Sequence, residues 1–318
     1  MAWPGPVSSV SEKKRSSDLD LKKLQFDFIG RRKIWFIISA VVILAGVAGY
    51  FMQGGFNFGI DFLGGTLIEV EFDQEVQPQA IRDILDEQGY GSSIIQQTGP
   101  DKYIIRIKAE EIGKPISSAE KNAILDSLDQ GIGINRQLLQ DRTVDPGFGS
   151  VLIRNALIAM AISLAGILVY VWIRFEFRFG ATAIVTLAHD VLVTLGVYAI
   201  LNREINTSTI AALLTIIGYS LNDTIVVFDR IRENTPQSRK LGYAGVVNQS
   251  VNTTLTRSIN TSITTLFPVI LLLILGTTAL KDFALALTIG IISGTYSSIF
   301  FASPILVSWN NRFARYKK

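Results

Sequence analysis

The chain has 318 residues, no cysteine, one histidine and a formal net charge of +3, from 30 Lys and Arg against 27 Asp and Glu. The lack of cysteine excludes disulfides and thiolate metal sites, and the slight basic excess, with no basic patch interleaved with aromatics, gives no footprint for nucleic acid. Apolar side chains make up 48% of the residues, mean hydropathy is +0.35, and the apolar residues fall in long blocks, as expected of a chain that lives in a membrane.

In chain order, residues 1–33 are a basic tail carrying Lys13, Lys14, Arg15, Lys22, Lys23, Arg31, Arg32 and Lys33. The run from Ile34 to Met52 predicts the first membrane-spanning helix, bounded here as 34–53. Behind so long a charged leader it overshoots the template of a cleaved signal peptide. Residues 54–149 are the only segment large enough for a water-soluble domain. With eight basic against sixteen acidic residues it lacks the positive bias of a cytoplasmic loop, so an outer position is expected.

This domain opens on a Gly-rich run, Phe56 to Thr66 (FNFGIDFLGGT), that lacks the Lys and following helix of a phosphate loop. Gly59, Gly64 and Gly65 read instead as tight turns in a structural junction between membrane and domain, with Asp61 closing them through a local hydrogen bond. Thr66 to Phe72 alternates as a strand, and Pro78 opens a helix with Ile81, Ile84 and Leu85 on one face. Ser92 to Thr98 and Tyr103 to Lys108 form a strand pair across Gly99-Pro100-Asp101. Ser117 and Glu120 make a capping box before Ile124, Leu125 and Leu128, and Gln137 to Val144 closes the set. Strand, helix, strand, strand, helix, strand is the α+β ferredoxin-like order. The domain has no His, its acids are scattered, and nothing in it assembles a catalytic constellation, so no enzyme, cofactor or metal site is expected.

Residues 150–309 predict a five-helix bundle, with spans from Val151 to Ile173, Ala181 to Leu201, Thr207 to Phe228, Ser258 to Thr278 and Phe283 to Trp309, each near the ~20 residues that cross a bilayer. The fold class is therefore a multi-pass α-helical membrane protein of six transmembrane helices with the outer domain between the first and second. In the fifth span only Leu266 to Leu275 is strongly apolar, so the Ser/Thr/Asn-rich turns before it must face other helices, and Pro268 is placed to bend it. Arg174, Arg178, Arg230, Arg232, Arg239, Lys240 and the 310–318 tail fall on the side of the amino terminus, whereas the opposite short loops hold only Arg203 and Lys281. Both termini are expected in the cytoplasm.

Asp223 lies inside the fourth apolar run, where a carboxylate costs at least about 2.5 to 3.5 kcal/mol on insertion scales, so its default role is an ion or proton site. Asn222 adjoins it, His189 and Asp190 lie midway along the third span, and Arg257 opens the fifth. These five are the expected proton relay. His189 with Asp190 also fits a mutually satisfied packing pair, and Arg257 also fits a side chain that snorkels to the cytoplasmic face. On the sixth span Gly290, Gly294 and Ser298, with Ser293 and Ser297 in a parallel row, suit close helix approach.

The run Gly59 to Thr66, the triplet Ala188-His189-Asp190, the stretch Gly218 to Asn234 (GYSLNDTIVVFDRIREN) and Thr253 to Thr265 together resemble the SecF membrane subunits of the bacterial SecD/SecF protein-export family. The resemblance implies a partner of SecD, related to the resistance-nodulation-division transporters, that uses the proton motive force to assist export of preproteins through the SecYEG channel, with YajC and YidC as further candidate partners. It also implies that Asp223 and Arg257 take part in proton passage. Two other classes use similar residues. A proton-driven small-molecule exporter needs a larger outer region than these ~95 residues form, and an intramembrane aspartyl protease needs a Gly-x-Gly-Asp setting that neither Asp190 nor Asp223 has.

Overall fold

A computed structural model describes residues 26–108, 116–144, 146–174 and 176–316 of the protein. Lys13, Lys14, Arg15, Lys22, Lys23, Lys317 and Lys318 lie outside the described residues. The first long helix, α1 (Arg32–Met52), is preceded by a short segment packed against the bundle. Phe28 and Ile29 are buried there, and the side-chain amides of Asn248 and Asn252 bond the backbone of Phe26 and Phe28.

Beyond a one-turn helix, α2 (Ile60–Leu63), comes an α+β domain: β1 (Gly65–Glu71), α3 (Pro78–Glu87), β2 (Ile94–Gln97), β3 (Lys102–Lys108), α4 (Ser118–Gly131) and β4 (Gln140–Val144). The four strands form one sheet in the order β2-β3-β1-β4, every neighbouring pair antiparallel. Alternation along β1 and β3 turns Ile68, Val70, Tyr103, Ile105 and Ile107 to one face, where Ile81 and Leu85 of α3 and Ile124, Leu125 and Leu128 of α4 cover them. Pro at the first position of α3 and the Ser117–Glu120 capping box of α4 set where those helices begin.

Gly65 starts β1 at φ +140°, and a Cβ there would lie 2.3 Å from the carbonyl oxygen of Ile107 on β3. We therefore expect Gly65→Ala to cost about 3 kcal/mol or more, through a disfavoured backbone and an unrelieved clash. The check is the thermal midpoint of the purified variant, and an unchanged midpoint would mean that the strand end shifts without cost.

The remaining helices are α5 (Pro146–Arg174), α6 (Phe177–Ile200), α7 (Thr207–Asn234), α8 (Ser238–Leu275), α9 (Thr278–Tyr296) and α10 (Ser303–Tyr316), the last two joined through a π-helical turn at Ser297–Ala302. Among the described residues five helical stretches are long and apolar enough to cross a membrane: Arg32–Met52, Val151–Val171, Phe177–Ile200, Thr207–Leu275 and Leu280–Asn310. The fourth joins α7 and α8, which fold back on each other, as bonds from Asn234 to Ser250 and from Ser258 to Asp223 record. Helix α8 thus begins well before Ser258, and its departure from helical dihedrals falls at Gly242 (φ 72°), with Pro268 inside the helical run.

Helices α6, α7, α8 and α9 surround a polar centre. Helix α1 closes on α6 at paired glycines, where a Cβ at Gly46 would lie 2.6 Å from the Cα of Gly196. Gly290 of α9 meets α7 as closely, its added Cβ falling 2.2 Å from Ile216. Leu157, Ile162 and Val169 of α5 and Ile37, Leu44 and Val47 of α1 are exposed, the character of surfaces that face lipid or other membrane helices.

Candidate functional site

Among the described residues two buried carboxylates sit in the bundle, each held by serines. Asp223, on α7, is 6% exposed. Its Oδ1 accepts a hydrogen bond from Ser258 Oγ of α8 at 2.7 Å, and its Oδ2 accepts from Ser298 Oγ of the π-helical turn. Asp190, on α6, is fully buried. Its Oδ1 accepts from Ser293 Oγ at 2.7 Å and lies 3.0 Å from His189 Nδ1, and its Oδ2 accepts from Ser220 Oγ at 2.5 Å and Ser297 Oγ at 2.7 Å. The two sites share scaffolding: Ser220 precedes Asp223 by three residues on α7, and Ser297 adjoins Ser298.

The other nitrogen of His189, Nε2, lies 3.1 Å from Ser39 Oγ of α1, and the ring stacks on Phe301 at 4.5 Å between centroids. Ser39 Oγ in turn lies 3.4 Å from the hydroxyl of Tyr296, which donates to the carbonyl of Trp35. Beside Asp223, the buried Thr224 hydroxyl has no hydrogen-bond partner among the described residues.

The structure brings His189, Asp190 and Asp223 into one polar centre and leaves Asn222 and Arg257 outside it. Both of the latter are exposed, and among the described residues no ion pair joins Arg257 to either carboxylate. Successive helical residues point about 100° apart. Since Asp223 and Ser258 face each other, their neighbours Asn222 and Arg257 face away.

Sequence reasoning missed the donors Ser220, Ser258, Ser293, Ser297 and Ser298. For Ser293, Ser297 and Ser298 the signal was present as a Ser/Gly row at helical spacing, but small residues suit close packing as well as hydrogen bonding.

At the end of α7 near the sheet, the expected local bond of Asp61 is not found among the described residues. The carboxylate reaches across to α7, where Oδ2 accepts from the backbone N–H of Thr207 at 2.9 Å and from its hydroxyl, while Oδ1 lies 3.2 Å from Arg142 of β4. An acid at a helix N-terminus satisfies an otherwise unpaired N–H and complements the helix dipole, which outweighs a local turn bond. Gly59 sits against Glu204, with an added Cβ falling 2.2 Å from Oε1, and Gly64 closes α2 at φ 75°.

Glu204, in the α6–α7 loop, lies 2.8 Å from Nε of Arg106 on β3, both largely buried, although that N–H is not aimed at the carboxylate. Burial pushes the Glu204 carboxyl above the usual range, with Arg106 opposing. Asp61, Arg106, Arg142, Glu204 and Thr207 line a cleft of about 220 Å³ between sheet and bundle.

Comparison with known proteins gives the family of this helical chain. Residues 124–312 match the protein-export membrane protein SecD/SecF C-terminal family, and residues 51–76 match the SecD/SecF GG motif. Protein translocase subunit SecF of Rickettsia bellii is 38% identical over 291 residues, covering 91% of this chain and 95% of that protein. The chain belongs to the SecD/SecF family of protein-export membrane proteins. Protein translocase subunit SecDF of Thermus thermophilus is 40% identical over 296 residues, and the chain spans only 39% of its length. The crystal structure of SecDF, a translocon-associated membrane protein from Thermus, is similar with a TM-score of 0.80 and 38% identity over 90% of this chain and 39% of that one. A SecDF crystal structure in a super-membrane-facing form gives a TM-score of 0.67.

Proposed function

We propose that the chain is the SecF-type auxiliary subunit of the bacterial Sec protein translocase and that, with a SecD-type partner, it uses the proton motive force to promote export of preproteins across the inner membrane. The observation that carries this reading is Asp223: a carboxylate buried in a membrane-length helix, hydrogen-bonded by serines and without a cation within ion-pair distance among the described residues. An ionisable group at this depth in a membrane bundle is by default an ion or proton site.

The topology proposed is six crossings, with α7 and α8 counted separately because they fold back on each other, both termini cytoplasmic, and a periplasmic domain over residues 54–149. The strand order and antiparallel pairing support a ferredoxin-like fold for that domain. The basic segments 1–33 and 310–318 flank the first helix (34–53) and the bundle (150–309) on the cytoplasmic side.

In this mechanism Asp223 takes a proton from the outer side, loses its charge and permits one helix packing, and release inward restores the other. One charge crossing yields about 2.3 kcal/mol per 100 mV, and each pH unit adds about 1.4, enough to shift a two-state equilibrium tens-fold. His189 and Asp190 extend the relay toward α1. Helix α7 carries Asp223 in its interior and the Asp61 contact at its outer end, so motion of α7 is transmitted to the outer domain.

Asn222, Arg257 and Asn260 make an exposed polar face that lipid does not accept, and we assign it to the SecD-type partner. The SecYEG channel, the emerging preprotein, YajC and YidC are the other proposed contacts. A small-molecule exporter of the resistance-nodulation-division type is not favoured, given the small outer domain and the translocase subunits to which the chain is similar.

Co-purification tests the reading. The chain expressed with its SecD-type partner is expected to retain a SecYEG-type channel and to raise gradient-driven preprotein export in proteoliposomes. Proton flux driven by small amphipathic compounds, with no effect on export, would favour the exporter instead.

A further inference from the structure

Ser297 and Ser298 are consecutive, fully buried, and lie at the start of the π-helical turn Ser297–Ala302, yet each serves a different acid. Ser297 Oγ donates to Asp190 Oδ2 and Ser298 Oγ to Asp223 Oδ2. Each hydroxyl also has a second acceptor on its own helix, the Gly294 carbonyl at 3.1 Å for Ser297 and the Thr295 carbonyl at 3.1 Å for Ser298. We propose that this serine pair is a hydrogen-bond switch that couples the proton on Asp223 to the donors of Asp190, both serines acting as positioning residues. The proposal rests on Asp223 carrying the relayed proton.

The chemistry follows from what a carboxyl group can do in its two states. Ionised, it only accepts, so the single hydroxyl hydrogen of Ser298 points at Asp223. Once Asp223 holds a proton its O–H donates to Ser298 Oγ, and the serine hydrogen turns to the Thr295 carbonyl. Neither state leaves a buried polar atom unpaired, so the exchange does not meet the penalty that usually freezes buried networks. A turn with main-chain bonds five residues apart is wider and less regular than an α-helical one, which gives it room to follow the hydroxyl. Because the two serines share a peptide bond, the movement reaches Ser297 and so Asp190.

The groups facing this pair are His189 and Asp190 from α6, Ser220 and Asp223 from α7, Ser258 from α8, Ser39 from α1 and Tyr296 at the end of α9. Arg257, next to Ser258, is exposed, and no Lys or Arg among the described residues pairs with either acid. Hydroxyl donation stabilises the ionised carboxylate, so its loss alters the balance between the two hydrogen-bonded states.

The test is gradient-driven export by the reconstituted complex as a function of outer pH. Ser298→Ala is expected to move the midpoint by about one pH unit, the size set by one charge-assisted hydrogen bond. Ser298→Thr should return it toward the parent, and Ser297→Ala should move it in the same direction by less. The double variant should fall short of the summed single shifts, because the two hydroxyls act as a unit. A parent-like profile for Ser298→Ala, alongside an inactive Asp223→Asn, would overturn the switch and leave the relay standing; an active Asp223→Asn would remove the relay itself. If Ser298→Ala does not assemble, Ser298→Cys, which keeps the volume but donates weakly, decides on the same midpoint. Strictly additive shifts would overturn the coupling.

Discussion

Asp223→Asn is expected to abolish the gradient-dependent part of export while leaving the complex assembled. The amide keeps the shape of the carboxylate and an oxygen that accepts from Ser258 or Ser298, so stability should change by no more than about 1 kcal/mol. What it loses is titration. Without a group that alternates between charged and neutral, the ~2.3 kcal/mol per 100 mV of the membrane potential has nothing to act on at this depth. Export measured in vesicles with and without an imposed gradient checks this, and a variant that still responds to the gradient would show that the proton passes elsewhere.

Asp190 should behave in the opposite way, its largest effect falling on the fold. Asp190→Ala removes the acceptor of Ser220, Ser293 and Ser297 and the partner of His189 in a fully buried site. Ser297 retains the Gly294 carbonyl, but for Ser220 and Ser293 the carboxylate is the side-chain acceptor recorded among the described residues. Stranded buried donors cost about 1 to 3 kcal/mol each, so a total near 3 to 5 kcal/mol is expected, with Asp190→Asn losing less than half of that. Thermal unfolding of the purified variants measures it. An Asp190→Ala protein as stable as the parent would mean that water or a rearranged helix replaces the carboxylate.

Local patterns in the sequence carried the outer domain. The alternation of Thr66 to Phe72, the proline at position 78 and the Ser117–Glu120 pair each name an element, and each element forms near where its signal lies. The buried acids were legible for a similar reason, since a carboxylate inside an apolar run needs an explanation wherever the helix packs.

Contacts between distant segments were not legible. Asp61 and Thr207 are 146 positions apart, and nothing in the GIDFLGGT run announces that its acid completes the end of another helix. Arg257 stands in the expected relay by its place at the start of the fifth span, but the single step to Ser258 turns it away from Asp223. The serines around both acids were hidden because a small hydroxyl side chain fits a packing row and a donor set equally well.

The most direct test follows the proton on Asp223 itself. In proteoliposomes containing the complex, isotope-edited infrared spectroscopy resolves a protonated aspartic acid, and the parent is compared with Asp223→Asn to assign the band. Acidifying the outer compartment is expected to raise the Asp223 carboxyl band, and dissipating the gradient to lower it. A carboxylate that stays ionised under every gradient, or that follows only the pH of the cytoplasmic compartment, would contradict the account.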